Sequence, residues 1–325
     1  MRFEPCERLY PTRPDPCQWC GFQGRGGGMR ILVTGATGTL GKALVPALVK
    51  AGHQVRALSR TKRESRGNIE WMWGDLFSGH GVAEAVAGVE AIAHLATSGR
   101  KGRGAVDIPG TRLLTMAARD AGVGHLLLTS MVGADRAPFG YLKYKLEAER
   151  LVEESGLGWT VLRSTPFHQW LHQRLRDFSA LPVLPVDPTV YWQPVHTGEV
   201  AAQAAGLLAG GPLGTEIEYG GPQKLDTAEL TRTWLHAQHL RRACLPMRYP
   251  GRLYAAARLD ALTTDATPRG EITWQDYLVP PPPVPSDDFA SEHTASPTSP
   301  ATQPEQDPDR HVYGGDEGYE RPTRG

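Results

Sequence analysis

"MRILVTGATGTLGKALVPALVKAG", residues 29–52, decides the fold. It opens with an apolar, β-prone run and closes with an amphipathic helical pattern. Between them lie Gly35, Gly38 and Gly41, spaced G-x2-G-x2-G. Each glycine has a separate physical task at a strand-to-helix turn. Gly35 permits the tight turn, Gly38 lets the backbone approach a pyrophosphate, and Gly41 lets the helix pack close to the strand. The first turn of the helix then offers unpaired N–H groups and a partial positive charge to phosphate oxygens. Three glycines alone are a weak signal. Set after a strand and before a helix, they predict a dinucleotide-binding turn in which Thr37, Thr39 and Leu40 also line the ligand.

The alternation continues outward. Strand patterns recur at "QVRALSR" (54–60), "IEWMWGD" (69–75), "EAIAHLAT" (90–97), "HLLLTS" (125–130) and "WTVLRS" (159–164), with helical patterns between them. Repeated βα units predict an α/β fold, a Rossmann-type doubly wound parallel sheet with a small C-terminal substrate lobe. Ligands bind such sheets at the carboxyl ends of the strands, where strand order reverses.

Residues 29–279 are the expected folded unit. Residues 1–28 lack periodicity, so a disordered or mis-annotated extension is expected there. Residues 280–325 open on a proline run and carry a net charge of −6, the pattern of a disordered tail. The middle of the chain is then +5, too diffuse for a nucleic-acid surface. No apolar run approaches the ~20 residues that span a bilayer, and no signal core is present, so a cytoplasmic protein is expected. Of the four cysteines, Cys17 and Cys20 have C-x2-C spacing, but no second pair completes a metal site.

The strand end at Ser59 and Arg60 bears on the cofactor. An acid there would favour NAD. The basic run Arg60, Lys62, Arg63 instead suits a 2′-phosphate, so NADP(H) is favoured over NAD(H). A solvated basic loop is the competing reading. Asp75 and Leu76 end the third strand, where Asp75 could accept from the adenine amino group. Leu95, Ala96 and Thr97 end the fourth, beside the expected dinucleotide path.

"GYLKYKLEAERLV" (140–152) places Tyr141 and Lys145 within about 40° of each other on a helix, away from the main polar arc. A lysine on a buried face is costly unless partnered. Ser130 ends the fifth strand and could bind the same substrate oxygen as Tyr141. If the register is one step later, Met131 stands there and cannot do so. Thr165 and Phe167 fall on the loop after the sixth strand, near the expected nicotinamide position. His168 is expected to line a substrate pocket. With His172 it makes an i, i+4 pair, but no third ligand is evident and no metal is expected. Trp170 and Trp192 are apolar walls of the pocket or of the core. "GRKGRG" (99–104) could approach an anionic substrate or be a solvated loop.

Together "TGATGTLG", "GDL", "HLLLTSMVGADRAPFGYLKYKLEAERLVEESGLGWTVLRST", "PVHTGEVA" and "YGGPQKLDTAEL" resemble the atypical short-chain dehydrogenase/reductases, and the NmrA-like, NAD(P)H-binding branch most. The resemblance spans about 29–279. It implies hydride transfer from NADPH to a carbonyl or quinone-like small molecule. Tyr141 would give the proton and Lys145 would hold the nicotinamide ribose. It also implies an alternative: an NADP(H)-binding redox sensor without turnover, in contact with a partner protein. Epimerase or dehydratase work on a nucleotide sugar also uses such a helix, but residues 166–279 are short for a nucleotide-binding second lobe.

Overall fold

The computed structural model describes residues 28–98 and 106–279. The readings made on residues 1–27, on "GRKGRG" and on 280–325 lie outside the described residues.

Seven strands form one sheet in which every pair is parallel. They are β1 (Arg30–Thr34), β2 (Gln54–Ser59), β3 (Ile69–Trp73), β4 (Ala91–His94), β5 (His125–Met131), β6 (Trp159–Ser164) and β9 (Glu216–Tyr219). The spatial order is β3-β2-β1-β4-β5-β6-β9. The chain therefore steps one way from β1 to β3, then reverses to β4 on the other side of β1. The reversal opens a crevice at the carboxyl ends of β1 and β4.

Helices cover both faces. α1 (Thr39–Lys50) and α6 (Thr197–Gly210) pack on one, with Leu40, Leu44, Leu48, Val200 and Ala204 in the core. α2 (Val82–Val86), α3 (Thr111–Asp120) and α4 (Tyr141–Glu153) pack on the other, through Val86, Leu114, Ala148 and Val152. The buried side chains of α1 fall at helical spacing, while Pro46 lies on its exposed face. That helix ends where Gly52 takes φ +89°, the left-handed conformation that stops a helix at low cost in glycine.

The C-terminal lobe combines α5 (His168–Phe178), β7 (Val183–Val186), β8 (Tyr191–Trp192), β10 (Leu225–Asp226), α7 (Thr227–Ala237), β11 (Ala243–Pro246), α8 (Arg252–Ala257) and α9 (Trp274–Leu278). Its own core gathers Leu171, Trp192, Leu230, Trp234, Leu262 and Trp274. Ala137, from the segment before α4, and Leu142, from the first turn of α4, join it, so the lobe packs directly on the helix that carries Tyr141.

Gly41 has the least room of the loop glycines. A Cβ there would lie 2.3 Å from the Gly35 carbonyl oxygen and 2.6 Å from Ala36 Cα. It therefore packs against the turn itself, not against the strand as the spacing suggested. Gly41→Ala is expected to cost about 1–3 kcal/mol, the range for overpacking a rigid site. Thermal unfolding checks this, and an unchanged Tm would overturn it.

Candidate functional site

The glycine turn is built into the sheet crevice. Gly35 takes φ +70°, and a Cβ on it would stand 2.7 Å from Ala96 N, so the ends of β1 and β4 meet here without a side chain between them. Leu95 N donates to Thr34 O at 3.2 Å and Ala96 N to Thr34 Oγ1 at 3.3 Å. Beneath them Thr34 Oγ1 contacts His94 Nδ1 at 2.7 Å, and His94 Nε2 contacts Thr111 Oγ1 at 2.9 Å. Burial pulls the His94 pKa down to about 3, so this ring is neutral at physiological pH.

Above the turn the space is open. A Cβ on Gly38 would meet only the Gly35 oxygen, at 3.2 Å. Thr37, Gly38 and Thr39 are exposed, while Leu40 and Gly41 are buried. Gly38 N donates to Gly35 O. The N–H groups of Thr39, Leu40 and Gly41, the first turn of α1, find no acceptor among the described residues. Three such unpaired N–H groups at a helix N-terminus fit a pyrophosphate.

Farther along the crevice, Arg60 is exposed just past β2, and Ser59 Oγ accepts from Thr61 N at 3.1 Å. Asp75 is half-buried beyond β3, and its Oδ1 accepts from Phe77 N at 3.1 Å. Leu76 is buried beside it.

At the opposite end, α4 presents Tyr141 and Lys145. Tyr141 Oη lies 2.9 Å from Thr97 Oγ1, and Thr97 Oγ1 donates to Asp107 Oδ1 at 2.7 Å. A hydroxyl has one proton, so with Thr97 committed to Asp107 the Tyr141 O–H is the donor to Thr97. Lys145 Nζ reaches Asp107 Oδ1 at 3.3 Å and donates to Thr129 O at 3.2 Å. Lys145 and Asp107 are both buried. Burial would lower the lysine pKa, but the neighbouring Tyr141 and Asp107 outweigh it and raise it. Burial would raise that of Asp107, but Lys145 and bonds from Thr97 and Ser98 outweigh it and lower it. The pair is therefore ionised. Arg163 of β6 fixes α4 from behind, donating to both oxygens of buried Glu149 and to Asp135 at 3.0 Å.

Residues 35–176 match a family model described as NAD(P)H-binding. The chain carries an NAD(P)H-binding domain. The match covers the glycine turn, the crevice and all of α4, which agrees with the resemblance read from the sequence. Among curated relatives, photosystem II assembly factor Ycf39 from Cyanophora paradoxa is 30% identical over 181 residues, 53% of this chain and 54% of that protein. The chain thus spans about half the length of that relative. A nucleoside-diphosphate-sugar epimerase from Staphylococcus aureus superposes with TM-score 0.66 at 19% identity, covering 77% of this chain and 99% of the epimerase. An NADPH-dependent quinone oxidoreductase from Escherichia coli, complexed with NADPH, gives TM-score 0.65 at 20% identity, covering 76% and 98%. At such identities the two structures show the Rossmann fold alone.

Within the NAD(P)H-binding domain, Tyr141, Lys145 and Thr97 are brought together as one hydrogen-bonded group. Ser130 makes no hydrogen bond to that group among the described residues. It shares a face of β5 with Leu126 and Leu128, turned to the α3–α4 layer. Its Oγ is buried and has no hydrogen-bond partner among the described residues. The next residue, Met131, packs against the C-terminal lobe. Thr165 is buried at the end of β6 and its Oγ1 accepts from Gly221 N at 3.2 Å. Phe167 is half-buried against the α1–α6 core.

His168 departs from its expected place. It is fully buried, stacked on Tyr277 at 4.9 Å with Trp274 at 5.6 Å, so it lies in the core of the lobe and not on a pocket wall. Burial pushes its pKa down to about 3. Trp170 and Trp192 meet at 5.6 Å beside a cavity of about 50 Å³. A hollow of about 430 Å³ between α2 and α3, lined in part by Val82, Leu113 and Met116, carries none of the site residues.

Asp107 was missed by sequence reasoning. It sits in a π-helical turn, Val106–Gly110, with no periodic pattern to mark it. The signal available was indirect: a buried lysine needs a counter-charge, and the partners considered were a ribose and a tyrosine.

Proposed function

We propose that the chain is an NADPH-dependent oxidoreductase that reduces a carbonyl or quinone-like small molecule. The observation that carries this is the linked group Tyr141–Thr97–Asp107–Lys145 at the end of the same crevice as the glycine turn. NADPH, when bound, supplies the hydride. The unpaired N–H groups of α1 would hold its pyrophosphate and Arg60 its 2′-phosphate. Tyr141 turns its O–H from Thr97 to the acceptor oxygen and donates the proton there. Lys145, kept charged by Asp107, stands beside Tyr141 and would hold a ribose hydroxyl of the cofactor. Thr165 and Phe167 flank the acceptor side.

Arg60→Ala tests the cofactor half. NADPH affinity, read by nicotinamide fluorescence, is expected to fall about tenfold or more, the worth of a charge-assisted contact, with NADH affinity unchanged. Equal losses for both nucleotides, or none, would overturn the 2′-phosphate assignment.

A second reading has its own support. The oxygen expected from Ser130 is buried, and Met131 occupies the strand end. A strand end that offers no serine hydroxyl to a substrate would suit an NmrA-like protein that binds NADP(H) and signals to a partner without turnover. It predicts partner capture that differs between NADP+ and NADPH, and equal recovery with both would sink it. In either reading the site serves a small molecule, and a cytoplasmic setting is proposed. No helix among the described residues is long and apolar enough to cross a membrane.

A further inference from the structure

The loop after β2, residues 60–68, carries four cations, Arg60, Lys62, Arg63 and Arg66, and they are not equivalent. Arg66 pairs with Glu64 at 3.4 Å. Lys62 Nζ lies 5.5 Å from the centroid of the Trp73 ring. The Arg63 guanidinium carbon lies 5.1 Å from that of Trp71. Arg60 makes no side-chain hydrogen bond, ion pair or ring contact among the described residues. Its backbone, however, is held: Trp73 Nε1 donates to Arg60 O at 3.1 Å.

The two tryptophans are placed for this by strand register. Trp71 pairs with Ala57 and Trp73 with Ser59, so both project from one face of the sheet edge next to the loop. Trp71 is tied in turn by its N–H to Ser65 Oγ at 2.9 Å, which closes the far side of the loop. Trp73 is 50% exposed, although burying its ring would be favourable. Its outer face meets the His80 ring at 4.4 Å. A large aromatic left half in water, with its indole N–H spent on the carbonyl of the loop before β3, is accounted for by what it holds.

We propose that Trp73, assisted by Trp71, is a specificity-determining brace for the dinucleotide. It draws Lys62 and Arg63 onto ring faces and pins the Arg60 backbone at the mouth of the crevice. Arg60 is thereby left as the loop's one cation without a side-chain partner among the described residues, pre-positioned for a 2′-phosphate. This deepens the NADPH reading above and rests on it. The brace acts chiefly on the phosphate-bearing nucleotide, because NADH presents to Arg60 only a neutral 2′-hydroxyl at that position.

The test is a titration of the full chain with NADPH and with NADH, for wild type, Trp73→Leu, Trp73→Phe, Arg60→Ala and the Arg60→Ala/Trp73→Leu double variant. Trp73→Leu is expected to weaken NADPH about fivefold, the size of one lost cation–π contact and one lost hydrogen bond partly replaced by water, and to leave NADH unchanged. Trp73→Phe keeps a ring face and is expected to fall between. In the Arg60→Ala background, Trp73→Leu is expected to have no further effect on NADPH, since the brace works through Arg60. If Trp73→Leu weakens both nucleotides together, or neither, the brace is refuted. If the two substitutions act additively, it is also refuted. A selective loss in Arg60→Ala with none in Trp73→Leu removes the brace and leaves the NADPH reading standing. No selective loss in Arg60→Ala removes the NADPH reading itself.

Discussion

Tyr141→Phe is expected to lower acceptor-dependent oxidation of NADPH by about two to four orders of magnitude, the contribution of a positioned general acid. Menadione and phenanthrenequinone serve as probe acceptors. The substitution removes one oxygen and little else. Lys145 stays in place, because its partners are Asp107 and the Thr129 carbonyl. Thr97 keeps its bond to Asp107. NADPH affinity is therefore expected to hold while kcat collapses. Turnover that survives the substitution would remove Tyr141 as the acid. With neither probe turned over by the wild type, the sensor reading gains.

Asp107→Ala carries the largest expected effect on stability. It leaves the Lys145 ammonium buried without its counter-charge, and breaking such a pair from one side costs about 3–5 kcal/mol. For a domain of this size that corresponds to a fall of roughly 10 °C in Tm. Removing both charges in Asp107→Ala/Lys145→Met is expected to recover much of the loss, because no ion is then stranded. The effect also has a direction in pH. The folded state holds the Asp107 pKa below its ordinary value. Its contribution is thus complete above the unfolded carboxylate range, near ~4, and disappears as pH falls through the lower folded value. Wild type and variant are expected to differ fully at pH 7 and to converge in strong acid. Equal melting at pH 7 would show that the pair is not the internal one described.

The sheet was legible because β1 to β6 announce themselves through apolar runs closed by turn residues, and α1, α3 and α4 through helical spacing. The seventh strand, Glu216–Tyr219, was not. "EIEY" is four residues long and carries acids on both sides of an isoleucine, and its place beside β6 comes from tertiary packing. Much of the C-terminal lobe escaped for the same reason: β8 and β10 are two residues each, too short for any period. At the site, Gly35, Gly41, Tyr141 and Lys145 were legible because backbone geometry and helix phase fix them. Asp107 was not, since its meaning depends on a lysine 38 residues on in the chain. His168 was misplaced because the residue at the start of a helix can turn to the core as readily as to a pocket, and Trp274 and Tyr277, which cover it, come a hundred residues later.

The internal neutralisation of Lys145 by Asp107 bears on how the two oxidation states of a nicotinamide would be told apart. The oxidised ring is a cation and the reduced ring is neutral. A bare ammonium at that corner would repel the former and so report the redox ratio by Coulomb force alone. A compensated pair projects only a short-ranged dipole and weighs the two forms nearly alike. A ligand can shift a conformational equilibrium only by its difference in affinity for the competing states. A device that signals redox poise from this corner would have to find that difference in ring shape, not charge, whereas a catalyst that must admit NADPH and release NADP+ is served by indifference.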